Sequence, residues 1–238
     1  MSVSKPVVNG TNYATWFLFS LMASVTFIGI LSELVPSGIL PQMTEGLAIA
    51  EAQVGFLVGV YALASAIFAI PLISMTLAVN RKTLLLFLLV GFTVSNIVVG
   101  LSSWYQLIVV MRIVGGICAG IMWPMIAAYG AALVPKEQQG KAITIIMSGN
   151  TFGVSLGLPL MTLIGTELGW RTTFIVLGAL GATIALLSAK YLPSIKGEKL
   201  TKSNSPWVVL KTPSVLLVLV LTFLSVLAHY GSYTTSHY

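Results

Sequence analysis

The chain contains no aspartate, one cysteine and two histidines, and only 8% of its 238 residues are charged. Each scarcity removes a class of chemistry. A lone thiol, Cys118, forbids an internal disulfide, and both histidines, His229 and His237, fall at the C-terminal end. No zinc constellation can be assembled from these residues, and no metal is expected. Cys118 lies in an apolar run, where a free thiol behaves as a small packing group. The acids are six glutamates scattered along the chain, too few for an expected catalytic centre, so the chain is not read as an enzyme. Soluble domains carry about 25% charged residues. Here 57% of the residues are hydrophobic, more than a water-soluble core of this length can bury, and the class that remains is a polytopic membrane protein.

Seven apolar runs are present, at 15–40, 54–79, 83–101, 105–134, 142–165, 172–192 and 215–229. About 20 apolar residues in a helix span ~30 Å of hydrocarbon, and each of the first six runs is long enough. The alternating pattern of a membrane barrel is absent, which leaves an all-α bundle. No small-residue cleavage site follows the first run, so that run is expected to stay as a helix rather than leave as a signal peptide. Trp16, Trp104, Tyr105, Trp170 and Tyr191 sit near run ends, as interfacial aromatics do.

The net charge of +6 comes from bases clustered between the runs, which argues for membrane topology and not for nucleic acid. If the connections alternate sides, one side collects Lys5, Arg81, Lys82, Lys136, Lys141, Lys190, Lys196, Lys199, Lys202 and Lys211. The other collects Arg171 alone. The N-terminus is therefore expected on the cytoplasmic side. The expected organisation is a cytoplasmic N-terminus at 1–14, a six-helix bundle at 15–193, a Lys- and Ser-rich cytoplasmic linker at 194–211, and a seventh helix within 212–238.

Two charges stand inside apolar runs: Glu33 in the first and Arg112 in the fourth. An arginine at mid-membrane costs at least ~2.5–3.5 kcal/mol on insertion scales, and it cannot shed its proton to escape. At 1.5 Å per residue, Glu33 lies about 12 Å from the run end near Pro41, and Arg112 about 10 Å from the run end near Tyr105. The two share a depth. Two readings stand: a static ion pair that fixes packing, or a carboxylate that exchanges a proton for a pairing interaction. Pro36 and Gly38 weaken the helix beside Glu33, which suits a site lined by imperfect helix. Tyr61 and Trp123 also lie deep and are candidates to line a pathway.

Small residues mark close approaches. Gly116 and Gly120 lie one turn apart beside Arg112, and Gly149, Gly153 and Gly157 form one face of the fifth run, followed by Pro159. Close helix packing and gating at the proline are both open readings.

Several segments together resemble the major facilitator superfamily, and within it the drug:proton antiporter branch of bacterial sugar, nucleoside and drug efflux permeases. They are SELVPSGILPQM, Ile49-Ala-Glu51-Ala-Gln53-Val-Gly55, Arg112-x-x-Gly115-Gly116, the stretch 134–142, and Gly169-Trp170-Arg171. The similarity extends over about 15–227. In two places the chain departs from the pattern. The loop before Arg81 and Lys82 lacks the usual Gly and Asp, so only the basic pair remains, and the fifth-helix motif reads Gly157-Leu158-Pro159 in place of Gly-Pro.

The resemblance implies a six-helix N-terminal bundle of two inverted three-helix repeats, plus a partial or complete seventh helix. It implies a missing C-terminal six-helix half. It implies proton-coupled efflux of a small molecule by alternating access in a bacterial inner membrane. The proton gradient would be the coupling force, with no organic cofactor, and the partners would be substrate and membrane lipid, not nucleic acid. Arg112 would carry proton coupling with Glu33. The competing readings are a non-transporting fragment or membrane interaction partner and, less favoured, a seven-helix receptor or membrane enzyme. A chain holding one half alone is expected not to transport.

Overall fold

The computed structural model describes residues 13–197 and, beyond them, 213–218, 220, 221 and 224. Two units divide the chain between Gly197 and Glu198. Among the described residues the regular structure of the first unit is all helical. Its elements are α1 (Tyr13–Gly38), α2 (Leu40–Leu47), α3 (Glu51–Thr76), α4 (Arg81–Leu101), α5 (Tyr105–Ala132), a 3₁₀ turn (Lys136–Gln138), α6 (Gln139–Phe152), a π turn (Gly153–Gly157), α7 (Leu158–Glu167) and α8 (Trp170–Tyr191). Among the described residues six spans are long and apolar enough to cross a membrane. In the second unit, the described residues 213–218, 220, 221 and 224 are helical and fall in or beside the seventh run, while the linker from 198, with Lys199, Lys202 and Lys211, lies outside the described residues.

Local chemistry sets the ends. Asn80 caps α4, its side chain accepting from the Lys82 and Thr83 N–H groups at 3.0 and 3.4 Å. Gln53 reaches back to the Ala50 N–H at 3.0 Å and closes the first turn of α3. The connection between the first two runs holds the short helix α2, with Pro41 in its first turn, where a missing N–H is harmless.

The fifth run is not one continuous α-helix. Pro159 has no N–H for the Ser155 carbonyl, and the chain widens into a π turn over Gly153–Gly157 before α7 resumes. A bend was expected at the proline, but the irregularity lies in the turn before it.

The ends of the bundle differ in charge. Lys141 packs over Trp16, Arg81 N–H bonds Ile195 O at 2.8 Å, and Tyr129 bonds the Pro193 carbonyl, so the start of α1, the starts of α4 and α6 and the ends of α5 and α8 meet at one end. That end holds Arg81, Lys82, Lys136, Lys141, Lys190 and Lys196 among the described residues. At the opposite end Arg171 bonds the Ser102 carbonyl, and Tyr105 bonds the Gln53 carbonyl at 3.0 Å. Arg171 is the one described base there, alongside Glu45, Glu51 and Glu167.

Apolar packing forms two clusters. One, toward the basic end, includes Met22, Ile28, Leu89, Phe92, Cys118 and Met122. The other includes Leu31, Val35, Leu57, Val99, Ile108 and Phe174. On α4 the switch falls between Phe92 and Val99, and on α5 between Ile108 and Cys118. Those intervals hold Ser95, Asn96 and Arg112, all buried. A polar layer thus separates two apolar cores.

Candidate functional site

Arg112 is the largest fully buried side chain in the bundle. Its guanidinium is solvated by backbone. Nε donates to Leu57 O at 3.1 Å, Nη1 to Ser32 O at 2.6 Å, and Nη2 to Glu33 O at 3.4 Å. The carbon of the guanidinium stands 4.2 Å from the Tyr61 ring centroid. Hydrogen bonds to a charged group contribute about 1.5–3 kcal/mol each, and a desolvated cation–π contact about 2. Together these offset the insertion cost of the charge.

The availability of Ser32 O has a sequence cause. In a regular helix it would accept from the N–H of residue 36, but that residue is Pro36, which has none. The proline in α1 leaves an acceptor open at the depth where α5 brings a guanidinium.

Ser32 ties in a third helix. Its hydroxyl donates to Asn96 Oδ1 at 3.0 Å, and Asn96 Nδ2 donates to Phe92 O at 2.9 Å. Ser95 donates to Met111 O at 2.6 Å, the residue before Arg112. The Tyr61 hydroxyl is buried in the same layer, beside Ser32. The layer therefore joins α1, α3, α4 and α5 through Ser32, Tyr61, Asn96 and Arg112.

Glu33 is half-buried and lends Arg112 its backbone carbonyl. Among the described residues no ion pair joins its carboxylate to the guanidinium. The geometry brings the Glu33 main-chain carbonyl to the guanidinium. The guanidinium has five N–H donors and uses three here, so two remain for a carboxylate.

The glycines sit where helices touch. A methyl added at Gly116 would land on the Tyr61 backbone carbonyl, and one at Gly120 on that of Ser65, so α5 lies against α3 along this seam. Gly149 faces Ala23 and Thr26 of α1, Gly153 faces Ile30 and Phe27, and Gly157 faces Phe27 and Leu31. Gly38 meets Thr162 and Leu158 of α7, and Pro159 lines an open groove with Gly38, Val154 and Leu163. Trp123 is half-buried beside Gly29 of α1, away from the Arg112 layer. Arg81 and Lys82 open α4 at the basic end.

Sequence reasoning missed Ser32, Ser95 and Asn96. The signal was available: an amide near the middle of an apolar run is costly unless it is satisfied by another helix.

A bundle of six membrane-length helices around a buried, carbonyl-bound arginine defines a multi-pass membrane protein. The sequence model of the Major Facilitator Superfamily matches residues 22–237, and the chain belongs to that family. Solved structures show the same fold at low identity. A bacterial homologue of the human lysosomal transporter Spinster, inward-facing and unoccupied, is 18% identical with a TM-score of 0.66, over 83% of this chain and 47% of that one. The inward-open xylose transporter XylE from E. coli is 16% identical with a TM-score of 0.65, over 91% and 56%. The human organic anion transporter MFSD10 (TETRAN) is 17% identical with a TM-score of 0.56, over 76% and 47%. The chain spans about half the length of these proteins.

Proposed function

We propose that the chain supplies one wall of a proton-coupled efflux pathway for small molecules, with drugs, sugars and nucleosides as the substrate classes to test. The observation that carries this is the Arg112 layer: a permanent charge held by the carbonyls of α1 and α3, with a titratable carboxylate on a residue it already touches. In this reading Glu33 is the proton carrier. When deprotonated, its carboxylate takes the two unspent guanidinium donors; when it gains a proton, it releases them. Each state favours a different position of α1 against α5, which is how a proton biases a two-state bundle. Tyr61 holds the guanidinium from the opposite face.

The other wall would be a second six-helix bundle. In an apolar 18-residue stretch of the spans Glu51–Thr76 and Lys136–Glu167 only 17% and 22% of the residues are buried, against 44–56% in the other four. Phe56, Leu63, Ile67 and Met75 of α3 are exposed. Helices this uncovered are where a further bundle would pack, in keeping with relatives about twice the length. The bases at one end suit a bacterial inner membrane with that end, and the N-terminus, in the cytoplasm.

The test is transport in proteoliposomes under an imposed proton gradient, with a panel of drugs, sugars and nucleosides. The 238-residue chain alone is expected to be silent, and the chain joined to a second six-helix bundle active. Glu33→Gln in the joined protein should remove gradient-driven movement while insertion stays intact. Normal gradient-driven transport by that variant would refute the role of Glu33.

A further inference from the structure

A groove of about 390 Å³ runs between α4 and α8 on the outside of the bundle, away from the Arg112 layer. Leu86, Val90, Thr93 and Val94 form one wall, and Ala182, Ala185, Leu186 and Ala189 the other. Its cause is the small residues of α8. At Gly181 the helices are close, since an added methyl would stand 2.7 Å from Thr93 Oγ1. Toward the basic end, Ala185 and Ala189 leave the space between the helices unfilled.

Helical spacing carries each lining stripe on to a lysine at the basic end; neither lysine lines the slot itself, Lys82 being half-buried and Lys190 exposed with its Nζ 5.2 Å from the Tyr191 ring centroid. On α4, Lys82, Leu86, Val90 and Val94 follow one another at four-residue steps on one face. On α8, Ala182, Leu186 and Lys190 do the same. Both stripes that line the groove therefore end in a lysine at the same end of the bundle, where Arg81 N–H already bonds Ile195 O just past α8. From Leu86 to Val94 the groove is about 12 Å long at 1.5 Å per residue, which fits within one leaflet of a ~30 Å hydrocarbon core.

We propose that this groove is a site for an anionic phospholipid, with one acyl chain lying between α4 and α8 and the phosphodiester held between Lys82 and Lys190. An apolar slot of single-leaflet depth selects a chain, and a pair of cations beyond its basic end selects the head. The α4 N-terminus is not part of the head site, because Asn80 caps its first N–H groups.

The test is competition between phosphatidylglycerol and phosphatidylcholine with identical chains. The two are supplied equally to the purified full chain in detergent, and retained lipid is counted by native mass spectrometry. A lysine near an anionic lipid head is worth about fivefold in affinity, so the pair predicts roughly 25-fold preference for phosphatidylglycerol at low salt. Lys82→Gln with Lys190→Gln should bring the two lipids to parity. Lys136→Gln with Lys141→Gln, an equal charge change elsewhere on the same end, should leave the preference intact. Ala185→Leu fills the slot and should lower retention of both lipids. Should that variant fail to fold, the two lysine pairs decide alone. Glycerophosphate without chains should not compete. No preference in the wild type, a preference that survives the first double variant, an equal loss in the second, or competition by glycerophosphate would each overturn the proposal.

Discussion

Gly149→Ala tests whether the bundle is held by backbone contact at its glycines. At this position a methyl would land on the Ala23 carbonyl oxygen and the Thr26 hydroxyl. Neither can retreat cheaply. The carbonyl is part of α1, and Thr26 is fixed by its bond to Ile146 O at 2.6 Å. Overpacking costs about 1–3 kcal/mol, with rigid neighbours toward the top of that range. The gain in helix propensity from Gly to Ala returns at most about 1 kcal/mol. The net loss is about 1–2 kcal/mol, or roughly 2–8 °C in Tm for a chain of this size. The same substitution at Gly59 is the control, because an added methyl there meets nothing within 4 Å. Gly59→Ala should leave Tm unchanged or slightly raised. The assay is built into the chain: Cys118 is its one cysteine and is 7% exposed, so a thiol-reactive fluorogenic dye reports its exposure on heating. A Tm for Gly149→Ala at or above that of Gly59→Ala would refute the argument.

Other outcomes follow from the polar layer and the charged ends. Arg112→Lys keeps a charge but loses the planar fork that reaches three carbonyls, so it should lower Tm, and Arg112→Ala should lower it further; a Tm for Arg112→Lys equal to that of the wild type would show that the fork does not matter. Asn96→Ala removes the acceptor of the buried Ser32 hydroxyl and should cost about 1–3 kcal/mol in the same dye assay, whereas no shift would mean the α1–α4 bond carries no weight. In the joined twelve-helix protein, the double variant Glu33→Gln with Arg112→Gln should transport no worse than either single one, since the two act as a unit; additive losses would separate them. A reporter fused after Gly197 should read cytoplasmic and one after Glu167 exterior, and the reverse would sink the orientation.

Much of the bundle was legible because a membrane span announces itself by length and hydropathy alone. The six spans begin and end within a few residues of the apolar runs, except where proline and glycine chemistry is local. The α2 helix went unmarked because eight residues from Leu40 to Leu47 carry little hydropathy signal. The π turn was invisible, since three glycines and Pro159 are compatible with several ways of bending. Arg112 and Glu33 were visible as charges in apolar runs. Their relation was not, because the guanidinium met the Glu33 main chain and not its carboxylate. Pro36 was noticed as a weak point of helix; that it frees the Ser32 carbonyl for Arg112 depends on how α1 and α5 are rotated, which no single-helix pattern contains.

The carbonyl cage around Arg112 also constrains how the protein is assembled. Every acceptor lies on α1 or α3, and both are synthesised before α5. When the arginine-bearing helix reaches the bilayer, its receptor is already there. A helix carrying this charge would be a poor insertion substrate on its own, but it meets acceptors already presented by two earlier helices. A chain in which α5 was made before α1 and α3 would lose that advantage, so the order of the chain is itself part of how a permanent charge enters lipid.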